Sequence, residues 1–379
     1  MSPVPMRVRR TLTAAAAVAS ISVLAACGAE QQTGGGSTAG TDSGAPADQW
    51  TVELKDGSTF RLADDIREKV ENNETINYLF SYQSSSIQGF SEQYKAGFER
   101  TQPDALAVYP EMQFKAVAPS ENPGDVPKQI SQIQAQVNAG QVDCVAINPL
   151  TDTGYTQITN ELLAQGIPVF TIGITTRGNE LTNFTQVPLK EGAQSADETL
   201  KFMRDNDLDF KVFAVSGGEP TLAWAKERMK GFQERIMEEI PDAEFVTTWD
   251  NPLAVTYDAA QSLDAYRAFL RGKGSDVDVI QNVDIGAGYA AQAISEAGRE
   301  GETFSLGWNV TPEQIEAIKA GTQIALFDQK WWEQAGFGAK ACAEFLKNGK
   351  VLPNTQELQV VTKANVNDAL AELDEILGQ

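Results

Sequence analysis

From Thr75 onward the chain alternates short, apolar, β-rich runs with segments of helical period, and this alternation restricts the fold more than any other feature of the sequence. Residues 76–81 read as a strand, after which Phe90, Tyr94 and Phe98 fall four apart on one helical face. Val126, Ile130, Ile133 and Val137 line the next helix, which Gly140 closes. Residues 142–147 form a strand, a helix over 156–165 ends at Gly166, and 167–172 is apolar on both faces, as parallel strands are. The cadence continues with strands over 210–216, 244–248, 277–282, 304–308 and 323–327 and helices over 221–239, 257–271, 288–298, 312–320 and 331–348. One helix start carries Thr311 as N-cap, Pro312 at the first helical position and Gln314 to complete a capping box. Val366, Leu370, Leu373 and Leu377 mark a closing helix. Strands linked by helices pair in parallel with right-handed crossovers, and there are too many for one comfortable open sheet. The expected fold class is α/β, with two doubly wound parallel-sheet lobes. In such folds ligands sit beyond the carboxyl ends of the strands.

Much of enzyme chemistry is excluded by the absence of histidine, which removes His-dependent triads and His-ligated metals. Gly286-Ala287-Gly288 lacks the third glycine of a dinucleotide fingerprint, and neither Gly272-Lys273 nor Gly349-Lys350 has P-loop spacing. No Gly-x-Ser-x-Gly elbow occurs, and Asp64-Asp65 and Glu238-Glu239 lack the spacing of a metal loop. The chain reads as a binding protein rather than an enzyme, with no cofactor and no metal. Its formal net charge is −22, and Arg7, Arg9 and Arg10 are the only charged residues of the first 26, so the remainder is more acidic still. Such a surface repels phosphate backbones, so nucleic acid is not expected as a partner. Cys144 and Cys342 fall on a strand and a helix; two buried thiols are the simpler reading, with a disulfide permitted in an exported chain.

Residues 1–26 combine Arg7, Arg9 and Arg10 with an apolar run from Leu12 to Val23 and end in Leu24-Ala25-Ala26 before Cys27. This resembles a bacterial lipoprotein export signal. The resemblance implies cleavage before Cys27, lipidation of Cys27 and an exported protein anchored to the outer face of a membrane. Residues 27–48, rich in Gly, Ser and Thr, read as a flexible tether. The extension over 49–73 has no assigned role, although Ile66 and Val70 suggest a short helix on the outside of the first lobe.

Two stretches carry a resemblance that covers about 75–361. The first runs from Val142 through Asn148-Pro149 to Gly166-Ile167-Pro168-Val169; the second is Ala225-Lys226-Glu227-Arg228-Met229-Lys230-Gly231-Phe232. Together they are similar to the ribose/galactose-type (type I) periplasmic sugar-binding proteins of ABC importers. The resemblance implies two lobes joined by a three-strand hinge, 74–186 plus 329–352 and 187–328 plus 353–379, closing on a small sugar or polyol that passes to a membrane permease. It also implies a monomer. Carried over residue by residue, it puts Gln88, Phe90, Arg228, Tyr257, Asp284, Asn309 and Gln329 at the ligand, with Trp308 beside Asn309 in Gly307-Trp308-Asn309. Trp308 and Phe90 have an alternative reading as plain core, and Trp331-Trp332 as the opening of a helix against the lobe interface. Where the family often has Asp-Arg, Gly173-Ile174 stand instead, which leaves Arg228 without its usual carboxylates and open to a sugar acid as well as a neutral polyol. A sensory binding protein that presents the same ligand to a receptor fits the same residues. A carboxylate-dependent hydrolase needs a second acid in the cleft beside Asp284.

Overall fold

The structure is a computed structural model and describes residues 49–87, 89–121 and 124–378. The export signal, Cys27 and the tether lie outside the described residues, as does Gln88. Residues 49–73 form an antiparallel hairpin, β1 (Thr51–Glu53) and β2 (Thr59–Arg61), followed by α1 (Asp64–Glu71). Ile66 and Val70 are buried as their spacing requires, but so are Trp50, Phe60 and Leu62, and all five join the core of the first lobe. Trp50 Nε1 donates to the Leu346 carbonyl at 2.9 Å, and Phe60 meets Phe345 edge-on. The extension, expected on the outside, is therefore part of that core.

The first lobe continues as β3 (Ile76–Ser81), α2 (Phe90–Arg100), α3 (Gln102–Val108), β4 (Met112–Val117), α4 (Val126–Asn138), β5 (Cys144–Ile147), α5 (Thr156–Ala164), β6 (Val169–Ile172) and β7 (Thr182–Phe184). Its five strands are all parallel in the order β4-β3-β5-β6-β7. The second lobe holds α6 (Pro188–Asp205), β8 (Val212–Gly217), α7 (Ala223–Glu239), β9 (Glu244–Phe245), β10 (Leu253–Ala254), α8 (Ala259–Arg271), β11 (Val279–Asn282), α9 (Ala287–Glu296), β12 (Phe304–Trp308), α10 (Pro312–Ala320) and β13 (Gln323–Asp328). The chain then returns to the first sheet as α11 (Trp331–Asn348), and goes back to the second as β14 (Gln359–Val361) and α12 (Val366–Leu377). The second sheet runs β10-β8-β11-β12-β13-β14 with β9 also on β8. Side chains tie the three crossings together: Thr182 Oγ1 donates to the Leu352 carbonyl at 2.7 Å, Asn354 Nδ2 to that of Thr185 at 2.6 Å, and Gln329 Nε2 to Gln186 Oε1 at 3.3 Å.

Several readings are corrected. Pairing is not parallel throughout, because β14 runs antiparallel to β13. The strand expected over 244–248 stops at Phe245, and Thr248 bridges to Asn251 instead. Helix α6 went unread; its buried face mixes Gly192, Ser195, Ala196 and Thr199, small or polar residues, with Leu200 and Met203. Those small residues let it lie against α7: a Cβ on Gly192 would meet the Arg228 carbonyl at 2.0 Å, and one on Gly231 the Leu189 carbonyl at 2.1 Å. Cys144 and Cys342 are joined in a disulfide rather than free, since the packing of α11 against β5 brings their Cα atoms to 6.3 Å, within bridging range. The capping box is half formed. Thr311 Oγ1 accepts from the Gln314 N–H at 3.4 Å, while the Gln314 side chain donates to the carbonyls of Trp308 at 2.8 Å and Asn309 at 2.6 Å.

Candidate functional site

The carboxyl ends of both sheets face one cavity between the lobes, and β3, β5, β6, β8, β11 and β13 contribute residues just past their ends. From the first lobe come Asn148 after β5, Gly173 after β6, and Phe90 and Tyr94 one turn apart on α2. From the second come Glu219 after β8, Trp224 and Arg228 one turn apart on α7, Tyr257 before α8 and Asp284 after β11. Gln329 stands at the second crossing, with Trp331 and Gln334 following on α11. The cavity measures about 50 Å³, space for a few waters.

One hydrogen-bond chain runs from lobe to lobe behind the cavity. Asn148 Nδ2 donates to Tyr94 Oη at 3.1 Å, Tyr94 Oη to Gln334 Oε1 at 2.7 Å, and Gln334 Nε2 to the Gln329 carbonyl at 2.9 Å. The Gln329 N–H donates to Asn309 Oδ1 at 3.3 Å, and Asn309 Nδ2 donates to Asp284 Oδ1 at 3.2 Å. Tyr257 Oη completes it by donating to Asp284 Oδ2 at 3.1 Å. Asn309 reaches both neighbours from a left-handed backbone, φ 64°, a conformation Asn tolerates better than most residues. Gly173 has φ 90°, and a Cβ there would meet Asn148 Nδ2 at 2.6 Å. A side chain at this position is therefore strained and crowds Asn148.

Arg228 is not unpaired, as its missing carboxylates suggested. It is buried, its Nε is ion-paired with the buried Glu191 of α6, and its Nη1 donates to the Val283 carbonyl at 2.8 Å. Its guanidinium lies 5.1 Å from the Trp224 ring centre and 5.0 Å from that of Trp308. Trp308 is wholly buried beneath it and against Phe327, so this residue supports the site without lining it. Asn309 likewise stands behind the cavity, bracing Asp284 and Gln329. Phe90, Arg228, Tyr257, Asp284 and Gln329 do line it; Phe90 meets Trp331 edge-on at 4.9 Å.

Burial raises the Asp284 carboxyl, opposed by Arg228 and by the hydrogen bonds from Tyr257 and Asn309. Glu219, which the sequence reading missed, is pushed up to about 7 by burial and then by the charge of Asp284. Its position immediately after a strand was the available signal. Among the described residues no cluster of His, Cys, Asp and Glu has the arrangement of a metal site, and no helix is long and apolar enough to cross a membrane.

Residues 78–350 match the family model described as periplasmic binding protein domain. No curated protein matches the sequence. Among solved structures, the chain is similar to the periplasmic ribose ABC transporter protein of Conexibacter woesei DSM 14684, at 18% identity and TM-score 0.64 over 79% of this chain and 96% of that one. It is similar to an ABC transporter solute binding protein of Bacillus halodurans C-125 with bound myo-inositol, at 20% identity and TM-score 0.66 over 79% and 99%. A putative LacI transcriptional regulator of Bacteroides fragilis aligns at 17% identity and TM-score 0.64 over 78% and 99%. At these identities the likeness establishes the fold.

Proposed function

The chain belongs to the periplasmic binding protein domain family, and from that premise we propose that it is an extracytoplasmic substrate-binding protein that captures a small sugar or polyol and delivers it to an ABC permease. The observation that carries this reading is the cavity itself: small, set between two lobes, walled by Phe90, Trp224, Tyr257 and Trp331, and supplied with polar ends by Asn148, Asp284 and Gln329. Aromatic faces cover the C–H surface of a sugar ring, and amide and carboxylate ends pair its hydroxyls. Asn148 Oδ1 is buried without a partner among the described residues, an acceptor suited to a ligand hydroxyl. An analogue lacking one such hydroxyl leaves a buried group unpaired, which is the source of selectivity. The Leu24-Ala25-Ala26-Cys27 box supports anchoring through a lipidated Cys27, and Cys27→Ser is then expected to release the protein into the medium. Binding alone accounts for these features, so the protein is proposed as a monomeric binder that uses no cofactor.

A thermal-shift panel of pentoses, hexoses and polyols against the full-length chain tests the reading. A ligand a hundredfold above its dissociation constant adds roughly 2.7 kcal/mol of stability. No shift with any carbohydrate overturns the assignment. One observation favours a second reading, a hydrolase: Glu219 and Asp284 share the cavity, so two acids are present. Release of product from a glycoside panel supports it.

A further inference from the structure

The charge balance of the cavity narrows the ligand class. Three ionisable side chains other than tyrosine line it, Glu219, Arg228 and Asp284. Arg228 is already neutralised in place by Glu191, both side chains being almost fully buried. Neither Glu219 nor Asp284 has a salt bridge among the described residues, and the Glu219 carboxyl receives no hydrogen bond from them. A neutral sugar leaves two like-charged carboxyls facing one small space, and a sugar acid adds a third. The walls are also unusually aromatic for so small a cavity, with Phe90, Tyr94, Trp224, Tyr257 and Trp331 presenting rings to it. Ring faces and carboxylates outside any salt bridge both attract a cation.

We infer that the ligand is a cationic amino sugar or amino polyol whose ammonium group is held on the Glu219 and Asp284 side of the cavity. This rests on the carbohydrate-binding reading above and sharpens it. The raised proton affinity of Glu219, due first to burial and then to the charge of Asp284, is consistent with an acid that has no ion-pair partner. Arg228, Asp284 and Tyr257 are the charged or titratable groups around it. A bound ammonium draws Glu219 to its ionised form, so binding near neutral pH releases protons. A neutral sugar that accepts a hydrogen bond from the protonated carboxyl takes protons up.

The test is calorimetry of the full-length chain with amino hexoses and amino polyols, each beside its neutral parent and its N-acetyl derivative. Titrations in buffers of different ionisation enthalpy count the protons. At least one amine is expected to bind tenfold or more tighter than its parent and its N-acetyl form, with proton release, and both Glu219→Gln and Asp284→Asn are expected to collapse that ratio. Equal or tighter binding of a neutral parent overturns the inference and leaves the carbohydrate reading standing. Binding by no member of any set overturns both. A preference for the amine that survives both substitutions overturns the placement of its charge.

Discussion

Removing the Glu191 carboxylate exposes how the site is built. The Arg228 and Glu191 side chains are 5% and 3% exposed, so their charges have little solvent to return to when one is removed. Breaking a buried pair from one side costs about 3–5 kcal/mol, because the remaining charge stays buried and uncompensated. Glu191→Ala is therefore expected to destabilise the protein by that amount. Glu191→Gln, which keeps an acceptor near Arg228 Nε, is expected to lose less. The exposed pair of Arg267 and Glu296 serves as control, and Glu296→Ala is expected to melt close to the parent. Urea titration followed by circular dichroism reads all three. A second consequence separates this from generic damage. With Glu191 gone, the Arg228 cation is no longer neutralised from behind, so Glu191→Gln is expected to improve binding of aldonic acids relative to amines at equal folding. If Glu191→Ala unfolds no more easily than the surface control, the pair is not the buried element described here.

The remaining expectations are local. The disulfide spans a sequence separation of 198, and a Cys144→Ala, Cys342→Ala double variant is expected to lose about 2–5 kcal/mol in urea titration; equal stability argues that the thiols are free. Gly173→Ala forces a Cβ against Asn148 Nδ2 at a positive φ, and is expected to cost about 1–3 kcal/mol and to weaken ligand binding in calorimetry. Trp50→Ala removes a buried indole tied to Leu346, with an expected loss of about 3–5 kcal/mol if the extension belongs to the core. Burial holds the Asp328 carboxyl up at about 6 against an ordinary 3.8, so the folded state binds its proton more tightly than the unfolded chain. Its destabilising charge is relieved as pH falls from above 6 toward 4, and Asp328→Asn is expected to flatten that part of the stability profile measured by urea titration.

Where one period governs a segment, its structure was legible in sequence. Helices α10, α11 and α12 begin and end where caps and apolar spacing put them, and β12 likewise. The losses have physical reasons. The buried face of α6 is chosen for closeness to α7 rather than for apolar bulk, so few large apolar residues mark it. Edge strand β4 is mostly half-buried or exposed, and β1, β2, β7 and β14 are three residues each, too short to show a pattern. Arg228 was found by its motif, but its partner Glu191 lies 37 residues away on the unread helix, and so it was read as unpaired. Tyr257, Asp284 and Gln329 were recoverable from family resemblance. Glu219 needed only the rule that strand ends carry the chemistry, applied to β8.

The proposed closure follows from how the polar residues are connected. Asn148 belongs to the first lobe and Asp284 to the second, and the hydrogen-bond chain joining them passes through Gln329 at a crossing. Buried polar groups admit few satisfied arrangements, so such a chain switches between discrete states rather than deforming smoothly. A ligand that completes Asn148 Oδ1 and engages Asp284 is satisfied only when both lobes present those atoms together. Its affinity for the closed state then exceeds that for the open one, which is the requirement for ligand to drive closure. Lys330, next to Gln329, stands at φ 51° with its ammonium on Glu372 of α12, so the same crossing is also coupled to the closing helix.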